Sequence, residues 1–183
     1  LINDYIIELP RLKWDKEFFI NDLIKTQTSR HWQLDNGLYA YSSGEFIIGQ
    51  PTLSEELEKL VNSQLHHLKL NFKDRQWLYM VTRANSILKP HFDTDRPASL
   101  NIPLLGNMVD TPIRYHTGAS LLSKDTLFTH VYTCPTIVNT EIWHSAVNRT
   151  TEDRHILSVS LYNTWNELIE IFSNPDNCEF NLT

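Results

Sequence analysis

A chain of 183 residues, 41% hydrophobic and 21% charged, carries enough apolar surface for one sizeable core and too little for two, so a single domain over 1–183 is expected. Its formal charge of -6 and pI near 5.7 provide no basic field for a phosphate backbone, so no nucleic-acid partner is expected. No apolar run approaches the roughly 18 residues that cross a bilayer, and no charged-then-apolar leader opens the chain, although its start at Leu1 rather than Met leaves room for a missing N-terminal piece. A cytoplasmic protein that makes no membrane contact is expected. Cys134 and Cys178, 44 residues apart, form no C-x-x-C pair and read as free thiols in a reducing compartment. Asn148-Arg-Thr150 and Asn181-Leu-Thr183 match a glycosylation acceptor by pattern alone, with no sign of secretion.

In chain order, helical signals come first. Trp14, Phe18, Phe19, Leu23 and Ile24 recur at helical spacing. Pro51-Thr-Leu-Ser-Glu55 places a capping box, Thr52 with Glu55, ahead of Leu57, Leu60, Val61, Leu65 and Leu68. Residues up to about 70 are therefore expected to form helices that bury one stripe against a sheet. From about residue 75 to 162 the pattern changes to short β-rich runs separated by turn residues: RQWLYMVTR, SLNIPLL, TPIRYH, TLFTHVYT, TIVNT, WHSAV and RHILSVSLY. Such a series predicts a mainly β sandwich or jelly roll, with the N-terminal helices packed on one sheet. Thr164-Trp-Asn-Glu167 then caps a short helix over about 164–172. No G-x-G-x-x-G or P-loop pattern occurs, which removes the usual nucleotide cradles.

Side chains alternate across a strand, so residues two apart share a face. In RHILSVSLY one face reads His155, Leu157, Val159 and Leu161, and the other Arg154, Ile156, Ser158, Ser160 and Tyr162. In SLNIPLL, Leu100, Ile102 and Leu104 oppose Ser99, Asn101 and Pro103. The apolar faces suit a sheet under helices. The polar faces suit the lining of a wet cavity.

The stretch Lys89-Pro-His-Phe-Asp-Thr-Asp-Arg-Pro97 fits this division. Pro90 favours an extended Lys89, and in an extended chain His91 and Asp93 project to one side while Phe92 faces the core. An imidazole and a carboxylate on one face are two metal ligands in need of a third. His66 and His67 fall near a helix end and read as a solvated face, His31 has no carboxylate pattern nearby, and His155 falls on an apolar face as a satisfied core histidine. His116 and His130 lie in β-rich segments and spacing does not exclude them. His144 stands out because Arg154 follows ten residues later on the polar face of the next strand. Two histidines and one carboxylate form a facial triad that holds Fe(II) and leaves three positions open. A 2-oxo acid occupies two of these and O2 the last, while Arg154 offers a bidentate fork and Ser158 a hydrogen bond to a distal carboxylate.

His91-Phe-Asp93, His144 and Arg154 resemble the signature of the Fe(II)/2-oxoglutarate-dependent dioxygenases. Within that superfamily, PHFDTDRPASLNIPLL followed by IVNTEIWHSAVNRTTEDRHILSVSL is similar to the aspartyl/asparaginyl β-hydroxylase-like branch. The resemblance covers about residues 75–162. It implies a double-stranded β-helix, iron ligation by His91, Asp93 and His144, and 2-oxoglutarate binding by Arg154. That branch often carries Arg-x-His where this chain has Ser99-Leu-Asn101, so a second co-substrate anchor is missing from its usual place. Ser99 and Asn101 are candidates to line the co-substrate site. An Asp at 93, where a halogenase vacates the position for halide, implies hydroxylation.

The resulting expectation is an oxygenase using Fe(II), 2-oxoglutarate and O2 to hydroxylate a C–H bond of an amino acid, free or in a peptide, with succinate and CO2 as co-products. The competing readings are a cupin-like metal enzyme that does not use 2-oxoglutarate and a non-catalytic β-sandwich binding module. Asp95 reads as a turn residue or a partner of Arg96. Arg83, Arg114, Tyr79 and Trp77 can touch substrate from neighbouring strands, but read equally well as surface or core residues of a sheet.

Overall fold

Alternation along two central strands organises the molecule. In the computed structural model, which describes residues 1–13, 15–17, 20–21, 46–49, 54–65 and 70–174, these are β5 (Ala98–Leu105) and β10 (Arg154–Leu161). They pair antiparallel, with Ser158 opposite Asn101 and Leu157 opposite Ile102, so both polar faces lie on one side of the sheet and both apolar faces on the other. Around them a six-stranded sheet runs in the order β1 (Ile6–Glu8), β8 (Thr136–Asn139), β5, β10, β3 (Phe72–Thr82) and β2 (Phe46–Gly49). A four-stranded sheet runs β4 (Ser86–His91), β9 (His144–Asn148), β6 (Ile113–His116) and β7 (Thr126–His130). All pairings are antiparallel, and the two sheets make the mainly β jelly roll that the run of short strands predicts.

The apolar face of the larger sheet carries the main core. Leu100, Ile102, Leu104, Leu157, Val159 and Leu161 pack there with Trp77, Tyr79 and Val81 of β3. Two helices cover them: α1 (Glu55–Leu65) inserts Leu57 and Val61, and α2 (Trp165–Ser173) inserts Trp165, Leu168 and Phe172. A smaller core of Ile6, Ile113, Tyr115, Tyr132, Val138 and Ile156 lies between the sheets. Ile6 and Ile7, like Val138 and Ile137, divide between the two cores by strand alternation.

The N-terminal part differs from the purely helical expectation. β1 and β2 add strands at the two edges of the larger sheet, and strands of three or four residues are too short to display a period in the sequence. At the start of α1 the backbone N–H of Leu57 donates to Ser54 Oγ at 3.3 Å, so Ser54 caps this helix. Thr52, Leu68, Trp14, Phe18, Phe19, Leu23, Ile24, His31, His66, His67, Cys178 and Asn181 lie outside the described residues. At α2 the expected capping box forms: the Glu167 backbone N–H donates to Thr164 Oγ1 at 3.4 Å and the Thr164 N–H to Glu167 Oε2 at 2.8 Å. Among the described residues no helix is long and apolar enough to cross a membrane.

Leu168, fully buried at 0% exposure on α2, makes the dependence of the sheet on its helical cover measurable. We expect Leu168→Ala to lower unfolding free energy by about 2–5 kcal/mol, and Thr164→Ala by only about 1 kcal/mol, both read from urea titrations. Equal effects from the two would contradict this assignment of the core.

Candidate active site

β4 and β9 pair from Ser86 opposite Asn148 through Leu88 opposite Ala146, then resume with His91 opposite His144. Lys89 and Pro90 thus oppose Ser145 alone, making a bulge where a proline, lacking an N–H, is tolerated. The bulge sets the His91 and His144 rings beside each other, their centroids 4.4 Å apart. Beyond it the chain leaves the strand, and Asp93 is fixed by its N–H donating to the Thr140 carbonyl at 2.8 Å.

One ligating atom from each of His91, Asp93 and His144 falls within 4.8 Å of the others, a group able to hold a metal ion. Both rings are oriented for it. His91 Nδ1 lies 2.8 Å from the Lys89 carbonyl and His144 Nδ1 2.9 Å from the Ile142 carbonyl. A carbonyl only accepts, so each Nδ1 carries the proton and each Nε2 presents its lone pair. Asp93 is divided in the same way. Its Oδ2 accepts from Arg96 Nε at 2.6 Å, while Oδ1 faces His91 Nε2 at 3.8 Å. Burial, reinforced by the neighbouring His91, pushes the His144 pKa down to about 4, which keeps this imidazole neutral near pH 7.

The triad opens into a cavity of about 650 Å³ between the sheets, lined among others by Met80, Ser99, Asn101, Arg154 and Ile156 of the larger sheet and by Tyr132 of the loop after β7. Arg154 is 3% exposed. Its Nη1 donates to the Thr111 carbonyl at 2.8 Å and its Nη2 to Thr82 Oγ1 at 2.9 Å, while Nε has no partner. Among the described residues no carboxylate pairs with it. The Tyr132 ring lies beside this guanidinium, 5.9 Å from Cζ to centroid. Gly106 permits the placement: at φ +97° it passes so close to the start of β10 that a Cβ there would sit 2.3 Å from the Asp153 carbonyl oxygen.

Asn101 and Ser99 reach the cavity as expected, and they form a chain. Ser99 Oγ donates to Asn101 Oδ1 at 3.4 Å and Asn101 Nδ2 to Tyr132 Oη at 2.9 Å. Ser158 lies on the polar face of β10, fully buried with its hydroxyl unpartnered, but it is not among the lining residues. Its place deep in the sheet, between Asn101 and Leu78, screens it.

Phe92 overturns the expectation of a core-facing spacer. It is 44% exposed and meets Trp143 edge-on at 5.0 Å, because the chain has left the strand by this point and alternation no longer applies. Asp95 is exposed, whereas Arg96 pairs with Asp93 and lines the cavity. His116 pairs through Nε2 with Ser145 Oγ at 2.8 Å, and His130 lies 3.3 Å from Thr136 Oγ1, so neither joins the triad. His155 is satisfied by Tyr79 Oη at 2.7 Å. Trp77 and Tyr79 belong to the main core, Arg83 pairs with Asp153 at the surface, and Arg114 lies opposite Ser145 on β6; none of the four lines the cavity. Asn148, 1% exposed, spends its amide on the Thr82 and Glu152 carbonyls and is closed to a glycan.

Sequence reasoning missed Arg96 and Tyr132. The i,i+3 spacing of Asp93 and Arg96 was a usable signal. Tyr132, in the loop after β7, had none.

No protein-family model matches the chain, and no curated protein matches it in sequence. Solved structures do share its fold. HygX from Streptomyces hygroscopicus, with nickel and 2-oxoglutarate bound, superposes at a TM-score of 0.59 with 13% identity, over 87% of this chain and 84% of that one. An oxidoreductase of the 2OG-Fe(II) oxygenase family from Burkholderia pseudomallei gives 0.52 and 13%, over 88% and 87%. A Pseudomonas putida prolyl-4-hydroxylase gives 0.50 and 12%, over 85% and 91%.

The depressed His144 pKa has a definite sign in linkage. The unfolded chain binds the proton below about pH 6.5 and the folded chain only near pH 4, so stability present above 6.5 is lost as pH falls toward 4. We expect the metal-free protein's melting temperature to fall over this window, and less steeply in His144→Gln. His116, His130 and His155, all depressed chiefly by burial, keep some of the slope. An unchanged slope in the variant would contradict the assignment.

Proposed function

We propose that this protein is an Fe(II)- and 2-oxoglutarate-dependent oxygenase that hydroxylates a C–H bond of an amino acid, free or within a peptide. One observation carries the reading: a two-histidine, one-carboxylate cluster opens into the same cavity as a buried guanidinium that has no acidic partner among the described residues. The donor set suits Fe(II), since two neutral imidazoles and one carboxylate on one side leave open positions for a chelating 2-oxo acid and O2. The fold shared with a structure that binds nickel and 2-oxoglutarate, and with a prolyl-4-hydroxylase, supports it. The resemblance of His91-Phe-Asp93 and the Ile-Trp-His-Ser-Ala-Val-Asn run to the aspartyl/asparaginyl β-hydroxylase-like branch favours an amino-acid substrate.

When bound, Fe(II) and 2-oxoglutarate would supply the oxidising chemistry, one oxygen atom of O2 entering succinate as CO2 leaves and the other entering the substrate C–H bond. The chain's own residues prepare for it. His91 and His144 offer Nε2 lone pairs, their tautomers set by the Lys89 and Ile142 carbonyls. Asp93 offers Oδ1 while Arg96 holds Oδ2, so the carboxylate keeps one orientation. Arg154 presents its unused N–H groups to the distal carboxylate of the co-substrate.

Tyr132 supplies the second anchor that Ser99-Leu-Asn101 lacks. Its Oη accepts from Asn101, which leaves its own proton to donate, and burial raises its pKa so that the proton stays on. Asn101 and Ser99 therefore act on the co-substrate through Tyr132. Ser158 is outside this arrangement unless the β10 face opens.

Under anaerobic conditions the wild-type protein with Fe(II) and 2-oxoglutarate should develop a weak visible charge-transfer band, and His91→Ala should not. Arg154→Ala should weaken 2-oxoglutarate binding about a hundredfold or more, and Tyr132→Phe about tenfold, for one lost hydrogen bond to a charged group. A screen for substrate-dependent succinate formation across amino acids and peptides then tests the reaction. Iron binding that survives His91→Ala, or a 2-oxoglutarate affinity indifferent to Arg154→Ala, contradicts the proposal.

A further inference from the structure

The proposed co-substrate accounts for Arg154 but leaves a second cavity cation unexplained. Arg96 lines the cavity beside the triad, and a guanidinium carries five N–H donors. Holding Asp93 uses Nε alone, Nη1 is buried without a partner, and among the described residues nothing else engages the group. A residue whose only task was to orient one carboxylate oxygen would need one donor.

The backbone beneath Arg96 is braced. The Thr140 hydroxyl donates to the Arg96 carbonyl and the Thr140 N–H to the Pro97 carbonyl at 3.1 Å, so the base of the side chain is fixed before any ligand arrives. Such preorganisation lowers the ordering cost of binding.

Charge sharpens the point. Asp93 is the sole acid among the described lining residues, against the guanidiniums of Arg96 and Arg154 and the exposed Lys89 at the rim. With a divalent metal and a dianionic 2-oxoglutarate in place, the metal and the two guanidiniums outweigh Asp93 and the co-substrate by one positive charge. A cavity with that surplus favours one more anion.

We infer that Arg96 is a specificity-determining residue: its free N–H groups take a carboxylate of the substrate, so the enzyme acts on a compound that bears its own carboxylate close to the C–H bond attacked. The inference rests on the oxygenase reading above. Arg96 then has two tasks, fixing Asp93 through Nε and reading the substrate through Nη1 and Nη2.

The test uses protein loaded with Zn(II) and saturated with 2-oxoglutarate, which binds without turnover. It is titrated with the proteinogenic L-amino acids and with the same amino acids as C-terminal amides, binding being read by ligand-observed NMR. At least one acid should bind while 2-oxoglutarate stays bound, with its amide about tenfold weaker or more, as for loss of a charge-assisted hydrogen-bonded pair. Arg96→Gln should bring that ratio near one, and Arg96→Lys should restore part of it. The wild-type ratio decides even where the glutamine variant fails to fold. Acid and amide that behave alike in every pair, including the case where neither binds, overturn the inference. Acids that bind only by displacing 2-oxoglutarate also overturn it, since Arg96 then serves the co-substrate's own carboxylate. Failure of 2-oxoglutarate itself to bind the Zn(II)-loaded wild type is a separate result, which removes the oxygenase reading and this inference with it.

Discussion

A guanidinium held at 3% exposure with, among the described residues, only neutral acceptors is the constraint around which this molecule is arranged. Desolvating a charge without a counter-charge costs several kcal/mol, so the site is tolerated only because the rest of the fold over-determines it. Arg154 begins β10, an interior strand of the larger sheet, and its two hydrogen bonds reach Thr111 and Thr82 from different segments. The helices on the opposite face clamp the sheet through Leu57, Val61, Leu168 and Phe172. Stability invested on the apolar face thus maintains an unsatisfied cation on the polar one, as expected where a ligand completes the structure.

The smaller sheet contributes the second half of the site by a different device. A regular β4–β9 ladder would place alternate residues on alternate faces, but the Lys89-Pro90 bulge shifts the register and brings His91 opposite His144. The chain then leaves the strand, so that Asp93 is oriented by Thr140 and Arg96 and no longer by the sheet. Two of the proposed ligands owe their direction to strand geometry and the third to a braced loop. The two cavity arginines divide along the same line, Arg154 fixed in the large sheet and Arg96 in the loop.

Much of this was legible in order. Period-two alternation in RHILSVSLY and SLNIPLL placed Leu100, Ile102, Leu104, Leu157, Val159 and Leu161 on the core face and Ser99, Asn101, Arg154 and Ile156 on the cavity face, because both strands are long enough to show a period, whereas Pro103, Ser158, Ser160 and Tyr162 of the polar faces do not line the cavity. The capping box at Thr164 was equally readable, being a local hydrogen-bond pattern over four residues. Where the period broke, the reading broke with it. Phe92 was assigned to the core by extending alternation past the end of β4, and β1 and β2 were too short to register at all.

By itself, the sequence determined which chemistry is available: two histidines, a carboxylate and an arginine on extended segments, the cores that hold those segments, and a surface with no excess of positive charge. Only the tertiary structure decided which histidines meet. His116, His130 and His144 all occur in β-rich text, and the register of β4 on β9 brings His144 to His91 while β6 and β7 carry the others to Ser145 and Thr136. It likewise decided that Tyr132 stands against Arg154 and that Arg96 turns inward. Such contacts join residues tens of positions apart, and local propensity carries no information about strand order, so no reading of one segment at a time could supply them.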